Sequence, residues 1–407
     1  KPESSVKIKL YNYQQQLVET VTTDSEGMTL YDSEKNISFA VAQKGNDYAY
    51  AKLEDGKEFS GAVLCLQDLA NQNILSEELV AKLKNFLAGY SEWLNEVIGE
   101  VIDEKFHNAR ERIIARIENA VKRIRAGIDL LGSDKTVRLA FSMANSVMLR
   151  QMIHSSKKYS GSERERDQGQ YSKPKYGAPD YKKYTWRPFQ LAYQLLVLES
   201  LVNTSSDDRD VVDLLWFPTG GGKTEAYLGL AAFELIYRRL IHGDAGAGTS
   251  VIKRYTLRLL TTQQFQRAAT LICALELMRK DNAKLLGNEP YTLGLWVGEA
   301  SSPNKYTSDS DYSKGAYELY KDILEDEWPE NPFQLQRCPW CGTKIIPPSR
   351  TDDVGDYGVK ATQVSFNFYC PSSDCELHEV IPVMVVDEHL YNHPPSFLIG
   401  TVDKFAR

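Results

Sequence analysis

The chain contains the run WFPTGGGKTE at residues 216–225, in which three glycines lead into Lys-Thr. Glycines let the backbone curl so that successive N–H groups point at phosphate oxygens. In such a loop Lys223 reaches the β- and γ-phosphates, and the Thr224 hydroxyl is placed to bind Mg²⁺. The run therefore predicts a triphosphate-binding loop with these residues: Thr219, Gly220, Gly221, Gly222, Lys223, Thr224 and Glu225.

The sequence on both sides of this loop is typical of an α/β fold. Residues 211–216 (VVDLLW) form an apolar run that predicts a buried strand, and residues 225–240 carry apolar side chains at helical spacing. The loop would then lie at the N-terminus of a helix, where anions bind favourably. A glycine-rich turn with a chance lysine is the alternative, but it does not account for the flanking pattern. We expect Lys223 and Thr224 to be the catalytic residues.

The loop and several later segments resemble superfamily 2 helicases. The general phosphate-loop pattern has Gly or Ala where this chain has Phe217, but the order Pro-Thr-Gly-x-Gly-Lys-Thr is the form found in these helicases. Four runs also resemble the helicase subunit of the DISARM anti-phage defence system: WFPTGGGKTEAYLGLAAF, RYTLRLLTTQQFQRAATLICALELMR, GLWVG and LIGTVDKFA. The resemblance covers residues 186–407 and implies a RecA-like domain with a parallel sheet, in an ATP-driven motor that works on DNA beside a partner subunit.

The resemblance implies an adenine-binding glutamine upstream of the loop. The run WRPFQ at residues 186–190 has Gln190 at the matching place, with Arg187 and Phe189 beside it. The Gln190 amide can offer a donor and an acceptor to adenine, and Arg187 or Phe189 would pack against the ring. The same run also predicts a helix start with Pro188 in its first turn, and the two interpretations are compatible. The implied nucleotide is ATP.

Two downstream segments resemble helicase motifs that contact a nucleic-acid backbone. The run SVIKRYTLRLLTTQQ at residues 250–264 is typical of a strand that leads into a loop and a helix, and FLIGTVDKF at residues 397–405 resembles a later strand and Gly-Thr turn. The resemblance implies these candidates for phosphate contacts: Arg258, Thr261, Gln263 and Thr401. A solvated surface helix would carry the same side chains, so the order of the segments after the loop adds weight to this interpretation.

One part of the helicase pattern lies outside the chain. The acidic Walker B motif, and a second RecA-like domain with its arginine finger, should follow the segment of Thr401. The run VMVVDEH at residues 383–389 is similar to a helicase Asp-Glu box, but we do not take it as the Walker B motif because it precedes the Gly-Thr turn. We therefore take the chain as the N-terminal part of a longer protein. Alone, it should bind ATP and hydrolyse it poorly, because the transition-state charge lacks its arginine and its full metal shell.

Four cysteines form two pairs with the spacing of a metal site. CPWCG at residues 338–342 is a C-x₂-C pair, and CPSSDC at residues 370–375 is a C-x₄-C pair. Four thiolates favour tetrahedral Zn²⁺. Disulfides are the alternative, less expected because no secretory signal is recognisable, and His378 could replace one cysteine. The spacing predicts a zinc ribbon inserted at residues 330–385, with a mainly structural role and these ligands: Cys338, Cys341, Cys370 and Cys375.

The residues before this domain differ in pattern and divide into three regions. Residues 1–75 alternate polar and apolar side chains between turn signals, which predicts a small β-rich module. Residues 76–155 carry apolar side chains at helical spacing and predict a long-helix accessory region. Residues 156–185 are basic and aromatic, which suits nucleic-acid binding, but their mixed charges favour a linker. Residues 186–407 then form the first RecA-like domain with its zinc-ribbon insert.

Length and charge set limits on function. A chain of 407 residues with net charge −7 is not a generally basic nucleic-acid binder, although a motor needs only a local positive track. No apolar run is long enough to cross a membrane, so we expect a cytoplasmic protein. With the resemblance, we expect the N-terminal part of an ATP-dependent DNA helicase or translocase in antiviral defence, acting on single-stranded or duplex DNA. The alternatives are a duplex translocase without unwinding, and a nucleotide-gated DNA-binding or assembly module with little turnover.

Overall fold

The structure, a computed structural model, describes most of the chain. Side chains are described for residues 64–156, 159, 171–216, 222–255, 263–298, 301–308 and 313–406, and earlier strands are described by their backbone. The chain divides into two compact units: residues 1–146 with 177–226, and residues 147–176 with 227–407. The predicted boundaries at residues 75, 155 and 185 stay predictions.

The first unit contains an antiparallel sheet in the predicted β-rich region. Its strands are β1 (Lys7–Tyr11), β2 (Leu17–Thr22), β3 (Val41–Lys44) and β4 (Asp47–Lys52). Their order is β2-β1-β4-β3. Lys7 pairs with Thr22 across β1 and β2, and Lys44 pairs with Asp47 at the turn between β3 and β4. Strands β1 and β2 therefore form one hairpin and β3 and β4 another, and β1 pairs with β4 between them.

Long helices follow this sheet. Up to residue 242 the described helices are α1 (Leu66–Leu69), α2 (Ser76–Gly99), α3 (His107–Ser133), α4 (Lys135–His154), α5 (Pro188–Val202) and α6 (Lys223–His242). On α2, Leu79, Leu83 and Leu87 are buried at four-residue spacing, which places them on one face. Helix α3 approaches α5 closely at Gly127, where a Cβ atom would lie 2.1 Å from the carbonyl oxygen of Leu195. Glycine is therefore required for this contact.

The second unit contains a parallel sheet. Its strands and those of a nearby hairpin are β5 (Val251–Tyr255), β6 (Leu293–Trp296), β7 (Val359–Thr362), β8 (Ser365–Phe368), β9 (Val383–Met384) and β10 (Phe397–Thr401). The later helices are α7 (Thr262–Asp281), α8 (Ala283–Leu286), α9 (Ala316–Glu325), α10 (Asp387–Asn392) and α11 (Val402–Phe405). The parallel sheet has the order β5-β10-β6-β9, and β7 pairs with β8. The chain is therefore a mixed α/β protein with a four-stranded parallel sheet.

The central strand of this sheet explains its apolar sequence. Strand β10 lies between β5 and β6, with Phe397 opposite both Val251 and Leu293. Phe397 and Ile399 are almost completely buried. Parallel strands need long crossover connections, and α7 lies in the connection between β5 and β6. On the opposite face Leu398 is half-buried and Gly400 is buried, so both faces of β10 are largely covered, which is usual for parallel sheets.

The predicted strand at residues 211–216 is wrong. These residues pair with none of the described strands, and the side chains of Val212, Leu214 and Trp216 are 92%, 81% and 86% exposed. Instead, the Asp213 carboxylate accepts two hydrogen bonds from the Arg123 guanidinium, at 2.6 and 2.8 Å. An apolar run becomes a strand only where a neighbouring strand satisfies its backbone groups, and here the ion pair to α3 decides the position of the segment.

No helix among the described residues combines the length and the apolar character needed to cross a membrane.

Candidate nucleotide and metal sites

The predicted phosphate loop is described from Gly222 onward. Three of its residues lie outside the described residues: Thr219, Gly220 and Gly221. Gly222 has a φ of 85°, a left-handed conformation that glycine adopts without strain. Helix α6 begins at the next residue, so Lys223, Thr224 and Glu225 form its first turn and are partly exposed. The positive end of the helix dipole at this turn favours a bound anion.

Gln190 lies against the last glycine of the loop. Its side chain is almost buried, with 3% exposed. Its Nε2 donates to the carbonyl oxygen of Gly222 at 2.7 Å, and its Oε1 accepts from the N–H of Arg187 at 2.7 Å. These bonds use about half of the hydrogen-bonding capacity of a glutamine amide. Two segments 32 residues apart in the sequence therefore meet at the start of α6.

Charged side chains surround Gly222. A Cβ atom there would lie 2.7 Å from Nε2 of Gln190, 3.5 Å from Oε2 of Glu225 and 3.8 Å from Nε of Arg187. Arg187 precedes α5 and is exposed, and Phe189 in the first turn of that helix is partly exposed. Pro188 starts the helix as the sequence predicted. The arrangement brings a guanidinium, an amide and a helix N-terminus to one place, a combination that suits a phosphate-bearing ligand.

The four predicted nucleic-acid contacts are placed differently. Arg258 and Thr261 lie outside the described residues. Gln263, in the first turn of α7, is exposed. Thr401, at the end of β10, is fully buried, and its hydroxyl has no hydrogen-bond partner among the residues that the structure describes. Contact between Thr401 and a nucleic acid would therefore need a rearrangement that exposes this hydroxyl.

The Asp-Glu segment after β9 is held in structural contacts. Asp387 starts α10, is 4% exposed, and its Oδ2 lies 2.5 Å from the ammonium of Lys404. The Glu388 carboxylate accepts from the N–H of Tyr306 at 3.0 Å. Strand β9 lies at the edge of the described sheet, beside β6. These contacts favour a structural role for the segment, as the sequence order suggested.

The four paired cysteines form a compact cluster. Their sulfur atoms lie within 4.8 Å of one another, and all four side chains are buried. Sγ of Cys338 is 3.9 Å from that of Cys375, and Sγ of Cys341 is 3.4 Å from that of Cys370. Four sulfurs bound to one tetrahedral Zn²⁺ would be about 3.8 Å apart, since each Zn–S bond is about 2.3 Å. The cysteines are free thiols, so the disulfide alternative is wrong. The cluster fits a metal ion such as zinc.

Two tight turns present these sulfurs. In the first, the N–H of Gly342 donates to the Cys338 carbonyl at 3.0 Å, and Gly342 has a φ of 77°. In the second, the N–H of Cys375 donates to the Ser372 carbonyl at 3.1 Å. Interactions with the thiols of the other three cysteines, Cys338 first, lower the pKa of Cys341, whereas burial raises the pKa of the Cys338 thiol.

His378 lies beside the cysteine cluster and is engaged in a backbone contact. Its Nδ1 is hydrogen-bonded to the carbonyl oxygen of Cys370 at 2.8 Å, and the four cysteine sulfurs form the cluster without it. The hairpin of β7 and β8 lies in the chain between the two cysteine turns. The clustering of the four cysteines thus agrees with their spacing in the sequence, and their role as metal ligands stays a prediction.

A polar network around Glu376 was not predicted. The Glu376 carboxylate accepts from the Trp340 indole at 2.6 Å and from the Tyr171 hydroxyl at 2.7 Å, and it pairs with the Lys173 ammonium at 2.7 Å. Trp340 lies inside the first cysteine pair, and Glu376 follows the second. The network therefore joins both cysteine turns to residues 171–173, and its partners are too distant in sequence for spacing to reveal them.

His154 packs on the same tryptophan. Its ring is stacked on Trp340 at 3.5 Å between centroids, and its two nitrogens contact the Trp340 carbonyl at 2.6 Å and the Tyr176 hydroxyl at 2.8 Å. Burial lowers the pKa of His154 to about 4. Tyr159 and Tyr171, from the predicted basic and aromatic linker, are also buried here. Residues 160–170 lie outside the described residues, and the linker role stays a prediction.

Comparison with known proteins gives one informative similarity. No protein-family model matches the chain. The chain is 39% identical over 345 residues to the DISARM protein DrmA of Bacillus paralicheniformis (strain ATCC 9945a / NCIMB 11709 / CD-2). The matched part is 81% of this chain and 29% of that protein, so the chain spans less than a third of its relative. The resemblance to a DISARM protein that the sequence motifs indicated is confirmed.

Proposed function

We propose that this chain, a relative of the DISARM protein DrmA, is part of an ATP-dependent DNA helicase or translocase of superfamily 2 that takes part in defence against phage. The similarity supports the link to a DISARM system and to partner subunits within it. The ATP-dependent activity is a proposal for the whole protein, because the chain spans 29% of the length of this relative. RecA-like architecture for residues 186–407 is part of the same proposal.

One observation carries the proposal. Two motifs that the helicase resemblance assigned separately to ATP, one around Gln190 and one around Lys223, meet through the hydrogen bond from Gln190 to Gly222. A chance glycine-rich turn would not be expected to contact this glutamine. The meeting point is also the N-terminus of a 20-residue helix, where the helix dipole favours a bound phosphate. The contact therefore supports one composite nucleotide site.

Each residue has a proposed role at this site. Lys223 and Thr224 bind the triphosphate and Mg²⁺, with the preceding glycines supplying backbone N–H groups. Gln190 uses its remaining amide capacity for adenine, and Arg187 or Phe189 packs on the base. Zn²⁺ is held by the four clustered cysteines and stabilises their turns. Gln263, Arg258 and Thr401 are proposed contacts for the DNA backbone.

A second candidate function has one observation in its favour. Thr401 is fully buried, so one of the proposed DNA contacts is not accessible in this structure. A nucleotide-gated DNA-binding or assembly module with little turnover would need no continuous track for DNA. It differs from a motor in its rate of hydrolysis and in the response of that rate to DNA.

The test is ATP hydrolysis by the full-length protein with and without DNA. Single-stranded and duplex DNA are supplied separately, and a Lys223→Ala variant is measured beside the wild type. We expect DNA to stimulate hydrolysis and the variant to lose at least about a hundredfold in rate, as for removal of one preorganised charge contact. Negligible hydrolysis with tight ATP and DNA binding would favour the assembly module. Stimulation by duplex DNA alone would favour a translocase that does not unwind.

A further inference from the structure

Three aromatic side chains gather at the carboxyl ends of two neighbouring parallel strands. Trp296 is the last residue of β6, and Phe405 ends α11, which directly follows β10. Tyr391 comes from α10, the short helix before β10. In open α/β sheets, ligands bind outside the carboxyl ends of the strands. The cluster therefore lies where such a sheet ordinarily receives a ligand.

Trp296 fixes the position of its two neighbours. Its indole N–H donates to the Tyr391 hydroxyl at 3.2 Å, and the two rings lie edge to face with centroids 6.3 Å apart. The ring of Phe405 meets Trp296 edge to face at 5.1 Å. Edge-to-face contacts of this kind hold aromatic rings in preferred positions. Tyr391 is nevertheless 66% exposed, so its ring is accessible to a ligand while Trp296 fixes its position.

Cationic side chains flank the same aromatic group. The Arg254 guanidinium, at the exposed end of β5, lies 5.9 Å from the Phe405 ring. The Lys404 ammonium lies 5.8 Å from the Trp296 ring and pairs with Asp387. A cation such as Arg254 beside a held aromatic ring is the pairing that sites for single-stranded nucleic acid use, with phosphates on the cations and bases on the rings.

We propose that Tyr391 is a stacking platform for an unpaired base of single-stranded DNA, positioned by Trp296 and flanked by a phosphate contact from Arg254. The inference rests on the proposed DNA-dependent function and makes it more specific. The face of a base is accessible to a side chain only where the strand is unpaired, so this site selects single strands over duplex. A single exposed tyrosine is common on protein surfaces, and the proposal depends on the hydrogen bond and the cations around this one.

The test separates bases from phosphates. The full-length protein is titrated with labelled oligothymidylate and with an abasic oligonucleotide of the same length, which keeps the phosphates and lacks the bases. The variants are Tyr391→Ala, Tyr391→Phe and, as a matched control, Trp328→Ala, which removes an aromatic side chain that is 71% exposed elsewhere in the same unit.

We expect the wild type to bind oligothymidylate roughly tenfold more tightly than the abasic strand, the size of one stacked base. Tyr391→Ala should lose that tenfold preference while its affinity for the abasic strand stays unchanged. Tyr391→Phe, which keeps the ring, should retain most of the preference, and Trp328→Ala should bind both strands as the wild type does.

Two results would overturn the inference. If Tyr391→Ala binds oligothymidylate as tightly as the wild type, Tyr391 stacks no base. If it weakens binding of both strands equally, the loss concerns phosphates or folding and not stacking. A folded wild type that binds neither strand at any salt concentration would overturn the proposed DNA-dependent function itself, which is a different outcome from either of these.

Discussion

The cysteine cluster and the phosphate loop were both predicted from short motifs, but the structure agrees with the first prediction more completely than with the second. At the cluster, all four sulfurs are buried and within 4.8 Å of one another. At the loop, Gly222 and the first turn of α6 are in place, but the segment before them is exposed and pairs with no described strand. Two tight turns and a hairpin suffice for the first site, whereas the strand before the loop depends on neighbours in a sheet.

The difference shows what a motif determines. Spacing of two residues between cysteines fixes a turn and directs both sulfurs to one point, so the sequence nearly specifies the geometry. A glycine-rich run fixes only the loop and the start of its helix. The position of the preceding segment is decided by longer-range contacts, here the pair of Asp213 with Arg123.

The largest effect is expected at the cysteine cluster. Cys341→Ser should release the metal and unfold both turns, because structural zinc contributes apparent binding free energies of about 10 kcal/mol or more in small zinc domains. Zinc content and thermal unfolding measure the change. Cys65→Ser, which alters a buried cysteine outside the cluster, should keep one zinc ion per chain. Equal zinc content in the wild type and Cys341→Ser would contradict a zinc site at these residues.

The next effect is a pH dependence from His154. Its pKa is about 4 in the folded protein and 6.5 in an unfolded chain, so the unfolded chain binds more protons between these values. The stability that depends on a neutral His154 should therefore be fully present above about pH 6.5. As the pH drops to 4, the free energy of unfolding should fall by about 3 kcal/mol. Urea unfolding at several pH values measures it.

The control for this pH dependence replaces one histidine at a time. His154→Phe should remove most of the slope between pH 4 and 6.5, whereas His107→Phe, at an exposed position, should keep it. An unchanged slope in His154→Phe would show that other groups cause the pH dependence.

A smaller effect is expected from the ion pair beside the loop. Asp213→Asn leaves the buried Arg123 without its two-bond partner and should lower the free energy of unfolding by about 2 kcal/mol, the size of hydrogen bonds to charged groups. Asp210→Asn, an exposed neighbour, should change it by a few tenths of a kcal/mol at most. Equal stability of the two variants would mean that the ion pair does not hold the segment.

The smallest effect concerns the contact that joins the two nucleotide motifs. Gln190→Ala removes the hydrogen bond to Gly222 and should weaken ATP binding by about fivefold, near 1 kcal/mol, and reduce any preference for ATP over GTP. Gln194→Ala, one turn later on α5 and also buried, is the matched control. If both variants bind ATP as the wild type does, the contact is structural only.

The sequence correctly predicted those features that local spacing or an α/β pattern determines. The four cysteines, the helix beginning beside Lys223, the helix at Pro188 and the parallel strands at residues 251–255 and 397–401 are of this kind. Each depends on residues close together in the chain or on a pattern repeated along one element.

The features that the sequence could not predict depend on contacts between residues distant in the chain. The strand expected at residues 211–216 failed because an apolar run does not identify its neighbours. The stacking of His154 on Trp340 joins residues 186 positions apart, and no motif connects them. Burial of Thr401 likewise follows from the packing of the sheet, and the Gly-Thr motif that made this residue a candidate does not determine it.

Equilibrium binding of ATP-Mg²⁺ to the full-length protein tests the central claim most directly, with wild type and Lys223→Ala titrated side by side and their folding compared by circular dichroism. If Lys223 and the start of α6 bind the triphosphate, the wild type should show saturable binding that the variant weakens between about tenfold and a hundredfold, the range for loss of a charged contact. Equal affinity in the two folded proteins would contradict a nucleotide site at this loop.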